Sequence, residues 1–312
     1  LRSISMSIAV TNAIKTIIPK LIPISTQANM GAENCGLQKG EMMMNNNYRS
    51  FFGLNKQPFG ADINLNEILK TAELIDVKER FDYVIGLGAI GLITGEVGSG
   101  KSTAIRYAAE HLHPSGYKSL YLIASSGAIM EFYRQLVNEL GIHIKSNSKT
   151  MLLRLIKKEI GTLVCEKKIK VVLLIDEASL MRLEVFAELH TLCQFEKDSK
   201  PYLPIILAGQ NNLIDKLSYR SSQPLASRIV ARSHLQGTDL AGMQDYLKHH
   251  LAIAGIKHNL FDQNAITAIH QGSGGLFRKA NHLARGALIA AAANQANLVN
   301  ADHVRLAATE IF

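Results

Sequence analysis

The residues most able to do chemistry are Gly95-Glu96-Val97-Gly98-Ser99-Gly100-Lys101-Ser102, three glycines followed by a cation and a hydroxyl, with Thr103 next. A loop of this kind turns its backbone N–H groups toward one point, and a helix starting at Lys101 adds partial positive charge there. That arrangement suits a polyphosphate. The spacing predicts that Lys101 reaches the β- and γ-phosphates of ATP and that Ser102 places its hydroxyl on Mg²⁺.

Some seventy residues on, Val171-Val172-Leu173-Leu174-Ile175 is a wholly apolar run ending in Asp176-Glu177. A strand buried on both faces reads this way, and ligands in an open α/β sheet bind beyond the carboxyl ends of its strands. Asp176 is expected to help hold Mg²⁺ through water. Glu177 is placed to orient and deprotonate an attacking water. A second apolar run, Leu203 to Ala208, ends in Gly209-Gln210, and Gln210 fits a sensor of the γ-phosphate. Arg228 and Arg232 follow; either can serve as a finger on a neighbouring subunit's nucleotide, with Arg228 preferred. Arg278 opens a later helix and is expected to reach back to the γ-phosphate. For all three arginines the plain alternative is a surface salt bridge.

These residues need strands to carry them and helices to cover the strands. Strands are expected at Gly91–Thr94, Ser119–Ala124, Val171–Ile175, Leu203–Ala208 and Arg228–His234. Helices are expected at Lys101–His111, Ile129–Leu140, Lys149–Cys165, Leu180–Phe195 and Asn212–Leu217. Alternating runs of this kind predict an α/β fold, a parallel sheet flanked by helices. After about Gly237 the patterning is helical only, through 240–254, 263–271, 276–294 and 301–311, which predicts a small all-α lid. The expected division is therefore a disordered extension over 1–44, a nucleotide-binding core over 45–236 and the lid over 237–312. The run Met42-Met43-Met44 suggests that the natural start lies near Met42. A second glycine pattern, Gly86-Leu87-Gly88-Ala89-Ile90-Gly91, matches G-x-G-x-x-G but leads directly into a strand, so it is read as a plain loop.

With 312 residues, 47% of them apolar and 19% charged, the chain has the composition of a globular protein. The greasiest stretch, Ile4 to Ile24, is interrupted by Lys15, Pro19, Lys20 and Pro23, so neither a membrane span nor a secretory signal is expected, and the predicted location is the cytoplasm. Cys35, Cys165 and Cys193 are too few and too scattered for a disulfide framework or a zinc site. His111-x-His113 and His249-His250 lack a third ligand at zinc spacing. The formal charge of +8 favours an anionic partner.

In order along the chain, the cradle, the Asp176-Glu177 pair, Gln210, Arg228 and Arg278 resemble Walker A, Walker B, sensor 1, arginine finger and sensor 2 of the AAA+ P-loop NTPases. A narrower resemblance, over about Tyr48 to Phe312, is to the ExeA-type ATPases. It rests on Tyr48-Arg49-Ser50-Phe51-Phe52-Gly53-Leu54 with Gln57-Pro58-Phe59, on Thr94-Gly95-Glu96-Val97-Gly98, Leu174-Ile175-Asp176-Glu177-Ala178 and Ala208-Gly209-Gln210, and on the stretch around Phe277-Arg278. The resemblance implies that the Phe-Gly-Leu and Pro-Phe segment lies beside the adenine. Asn211-Asn212 departs from the usual Pro-Glu, and Phe277 from a common proline. One branch of this family acts in secretion and carries a membrane segment and a peptidoglycan-binding part. The other consists of short cytosolic helpers of DNA transposition, similar to TniB, MuB and TnsC. The short branch is the better match, which implies an ATPase that binds double-stranded DNA, works as a homo-oligomer (ring or filament) with a transposase, and has no membrane part; the alternative is an ATPase of secretion or envelope assembly with protein partners.

Charge placement agrees with the DNA expectation. Lys145, Lys149, Arg154, Lys157, Lys158, Lys167, Lys168 and Lys170 face only Glu159 and Glu166, on a segment whose Leu152, Leu153, Leu155, Ile156 and Ile160 form the apolar side of a helix. Lys145, Lys149, Arg154, Lys157 and Lys158 are the candidate contacts to a duplex backbone. A solvated lysine-rich helix has the same pattern. Aromatics at 6% and the absence of Trp argue against a base-stacking, single-strand surface.

Overall fold

A computed structural model describes residues 48–60, 62–144 and 146–311. The extension over 1–44, the Met42 start, Cys35 and Lys145 lie outside the described residues. The chain divides between Gly53 and Leu54. The described part of the first unit is one helical stretch, 48–52, ending at Gly53, in which the Phe51 and Phe52 rings meet edge to face at 4.8 Å.

The second unit is built on five parallel strands in the order β2-β3-β4-β1-β5: β1 Ile90–Gly95, β2 Tyr117–Ile123, β3 Lys170–Asp176, β4 Ile205–Gly209 and β5 Ile229–Leu235. β3 is a central strand and its six residues after Lys170 are all buried, which explains its unbroken apolar run. Its side chains alternate between two cores. Val171, Leu173 and Ile175 join Leu152, Ile156, Leu136 and Phe186 from helices α3 (Ile129–Leu140), α4 (Lys149–Gly161) and α5 (Leu183–Cys193). Val172 and Leu174 join Phe81, Val84, Ile105 and Ala108 from α1 (Ala72–Leu87) and α2 (Lys101–Glu110). The sheet is thus covered on both faces, as the alternating pattern predicts. Two short helices, α6 (Asn212–Ser218) and α7 (Gln223–Ala226), connect β4 to β5. After β5 the chain is helical: α8 Leu240–Ile253, α9 Gln263–Ser273, α10 Phe277–Ala293 and α11 Ala301–Ile311.

Local chemistry sets the helix ends. Thr71, Ser148, Asp239 and Asp262 each accept a backbone N–H of the first turn, capping α1, α4, α8 and α9. Three differences from the sequence reading have physical causes. The Gly86-Leu87-Gly88 loop is not a loop: Gly86 and Leu87 complete the last turn of α1, and Gly88, at φ 66°, is its left-handed C-cap. α1 itself went unpredicted, although Leu74, Val77, Phe81 and Val84 repeat at helical spacing and are all buried. The helix expected to reach Cys165 ends at Gly161 and unwinds through a π-turn, Thr162–Glu166, before β3.

Candidate functional site

The P-loop runs from the carboxyl end of β1 to the first turn of α2, so all its residues sit where β3 and β4 also end. Gly98 (φ 88°) and Gly100 (φ 98°) occupy the left-handed region. At Gly98 the requirement is double, because a Cβ there would fall 2.8 Å from the Cβ of Arg278. The Lys101 ammonium donates to the carbonyl oxygens of Gly95 at 2.9 Å and Glu96 at 2.8 Å. Burial pulls its pKa down from the ordinary lysine value, while the charges of Glu177, Asp176 and Glu96 oppose that shift. Ser99 contributes a buried hydroxyl with no hydrogen-bond partner among the described residues.

Beside the loop lies a cavity of about 420 Å³. Its lining is polar at Lys101, Ser102, Thr103 and Glu177 and aromatic at Phe59, Tyr246, His250 and Phe277. Phe59 stacks on His250 with ring centroids 5.3 Å apart, and Tyr246 packs 4.4 Å from His250 and 4.6 Å from Phe277. The Tyr246 hydroxyl donates to the Asn281 side-chain oxygen at 2.8 Å. Burial lowers the pKa of His250 to about 4, with His249 adding to the effect, so the ring stays neutral at pH 7. An aromatic slot and a P-loop cation lining one cavity match a nucleotide, base and phosphates respectively. The apolar slot has its origin in α8 and α10, which were read in the sequence only as lid helices.

The two carboxylates at the end of β3 are held differently. Asp176 is buried, and each of its oxygens takes one hydrogen bond: Oδ1 from the backbone N–H of Glu177 and Oδ2 from the Tyr121 hydroxyl, both at 2.8 Å. Each oxygen keeps a free lone-pair direction, and with the Ser102 hydroxyl these are hard oxygen donors of the kind Mg²⁺ prefers. Glu177 sits at φ 53°, a left-handed conformation that costs a non-glycine residue about 1–3 kcal/mol. A turn offsets that strain, with Leu180 N–H donating to the Glu177 carbonyl at 2.8 Å. The Lys216 ammonium holds the end of the turn through the carbonyls of Ser179 (2.6 Å) and Met181 (2.7 Å). The result aims the Glu177 side chain into the cavity.

Of the sensor candidates, Arg278 lines the cavity, and its backbone N–H donates to the Gly98 carbonyl at 3.3 Å, so the first turn of α10 rests on the P-loop. Gln210 directly follows β4, whose Gly209 pairs with Thr94, which places it beside the entry to the loop. Its neighbour Asn211 donates to the Glu96 carboxylate at 2.8 Å, a contact made by one of the residues that departs from the family pattern. Arg228 is elsewhere. Its carbonyl accepts from Ile90 N–H at the amino end of β1, the opposite edge of the sheet from the P-loop, and its guanidinium pairs with Asp198 and donates to His190 Nδ1. It therefore does not reach the cavity of its own chain. Arg232 lies mid-strand on the edge strand β5. Sequence reasoning missed Tyr121, Asn211, Tyr246 and His250; the only advance signal was the unusual Asn at 211.

On the basic helix, Leu152, Ile156 and Ile160 are buried and Leu153 and Leu155 partly so. Arg154 and Lys158 are exposed. Lys149 pairs with Glu188, and Lys157 donates to the Gln194 carbonyl at 2.8 Å over the Phe195 ring, so these two cations are engaged within the chain. Among the described residues no helix is long and apolar enough to cross a membrane.

Comparison with known proteins agrees with this geometry. Residues 86–217 match the family model described as AAA domain. General secretion pathway protein A of Aeromonas hydrophila is 30% identical over 268 residues, which cover 85% of this chain and 48% of that protein. The chain thus spans about half the length of this curated relative. Cdc6p of Pyrobaculum aerophilum superposes with a TM-score of 0.67 at 14% identity, covering 81% of this chain and 70% of that one. The ORC1 protein of Aeropyrum pernix, solved in complex with DNA, gives 0.60 at 14%, covering 79% and 67%. At those identities the likeness is one of fold. The chain therefore has the AAA+ P-loop NTPase fold and carries an AAA domain over residues 86–217.

Proposed function

We propose that this protein is a Mg²⁺-dependent ATPase in which hydrolysis is coupled to a movement of the helices after residue 237, and that it works as a homo-oligomer in the cytoplasm. The single observation that carries the coupling is the Arg278 backbone bond to the P-loop carbonyl of Gly98, which ties the first residues of α10 to the cradle. In this reading the loop N–H groups and Lys101 hold the phosphates, and the Phe59–His250 stack receives the base. Ser102 and Asp176 would hold Mg²⁺, which when bound would screen the phosphate charge. Glu177 takes the proton of the attacking water. Gln210 and Arg278 report the γ-phosphate from two sides. Arg228, being out of reach of its own cavity, acts on a neighbouring subunit's nucleotide, with Arg232 as the alternate; assembly would then have to free Arg228 from Asp198. The functional division is a core over 45–236 and a lid over 237–312.

On the macromolecule served, we propose double-stranded DNA and, with it, a transposase. Support comes from the net charge of +8 and from Arg154, Lys158, Lys167, Lys168 and Lys170, all exposed on or just after α4. A second reading, a protein-directed ATPase of secretion or envelope assembly, is favoured by the 30% identity to General secretion pathway protein A. Gel-shift titration of an arbitrary duplex against salt, with ATP, ADP or no nucleotide, separates the two. The DNA reading predicts ATP-dependent binding whose logarithm falls linearly with log salt, with the slope reduced by about 1 for each of Arg154 and Lys158 changed to Ala. Binding that is absent, or unchanged by those substitutions, favours the protein-directed reading.

A further inference from the structure

We propose that Tyr121 is a positioning residue for the metal function of Asp176, orienting that carboxylate toward Mg²⁺ from the second layer of the site; this rests on the ATPase reading above. Tyr121 lies on β2, opposite Leu174 of β3, two residues before the strand ends opposite Asp176. Its ring packs against the core beneath α1 and α2, and its hydroxyl emerges beside the carboxylate, donating to Oδ2 at 2.8 Å. Oδ1 is fixed from the other side by Glu177 N–H, also at 2.8 Å. Two donors in different directions fix both the position of a carboxylate and the plane of its lone pairs, whereas either alone leaves it free to rotate. The remaining lone pairs are then available, without reorganisation, to a hydrated cation held by Ser102. Partners that orient a metal ligand in this way typically change metal affinity about ten- to hundred-fold when removed.

A carboxylate only accepts, so the phenol is the donor of this bond. A Tyr that merely satisfied its own hydroxyl in a half-buried site would leave nucleotide binding indifferent to its loss, in Mg²⁺ and in chelator alike.

The test uses the full chain, wild type and Tyr121→Phe, with binding of a fluorescent ATP analogue titrated in EDTA and against increasing Mg²⁺. Tyr121→Phe removes one oxygen and keeps the ring in the core, and thermal melting without nucleotide checks that the fold is retained. The expected result is an affinity in EDTA within twofold of wild type and a Mg²⁺ midpoint raised about tenfold. Asp176→Asn should abolish the Mg²⁺ response, and adding Tyr121→Phe to it should change nothing further, the signature of two residues acting as one unit. An unchanged Mg²⁺ midpoint in Tyr121→Phe, or an equal loss with and without Mg²⁺, overturns the proposal while leaving the ATPase reading intact. A wild-type protein that binds the analogue without any Mg²⁺ response overturns both.

Discussion

A buried histidine lining the cavity makes the protein's stability a function of pH. His250 titrates near 4 when folded against 6.5 as its ordinary value, so the unfolded chain binds the extra proton first. Stability is therefore complete above about pH 6.5, falls as the pH drops, and levels off near pH 4, with a contribution of about 3 kcal/mol at most. Urea unfolding at pH 7 and pH 4.5 should show this drop in the wild type and a smaller one in His250→Phe; equal drops would contradict it. Single residues also mark where the sequence stops being informative. The glycines, Lys101, Asp176 and Glu177 announce their chemistry by type and spacing, because a phosphate cradle tolerates few alternatives. Tyr121, Tyr246 and His250 carry no such signal. Their roles come from strand register and helix packing, which bring residues 55 positions apart, such as Tyr121 and Asp176, within hydrogen-bonding distance.

At the scale of elements, the P-loop and α10 form one contact surface. Gly98→Ala places a Cβ against that of Arg278 in a backbone conformation that L residues avoid, so it should destabilise the fold by about 1 kcal/mol or more. Calorimetric titration should show ATP affinity reduced about tenfold or more, equivalent to about 1.4 kcal/mol, with the sheet core still melting cooperatively. Affinity equal to wild type would mean that α10 does not bear on the loop. All five strands were legible to within two residues at each end: β1, β3 and β4 are buried on both faces and leave a largely apolar signature, whereas the edge strands β2 and β5 are only partly buried and carry polar residues. α1 was not read, since its closing Gly88 and Gly86 two residues before it look like a loop when considered without the Leu74, Val77, Phe81 and Val84 stripe. The basic stripe on α4 was legible as charge, but not as the intramolecular pairs that engage Lys149 and Lys157.

For the whole molecule, the sheet separates Arg228 from the cavity of its own chain, and under the proposed function that separation makes catalysis an assembly property. Arg228→Ala and Lys101→Ala should each be nearly silent alone, the first for want of a finger and the second for want of phosphate binding. Mixed together they should recover turnover, because each supplies what the other's site lacks. Full activity of Arg228→Ala alone would remove Arg228 from the mechanism. Beneath that lies the central claim that this cavity hydrolyses ATP through Glu177. Its most direct test is phosphate release by the full chain with ATP and Mg²⁺, with and without duplex DNA, alongside equilibrium ATP binding, for wild type and Glu177→Gln. Wild-type turnover is expected to be measurable, and the variant to bind ATP as tightly while turning over about a hundredfold or more slowly. Equal turnover in the two proteins, or none in the wild type under any of these conditions, would contradict it.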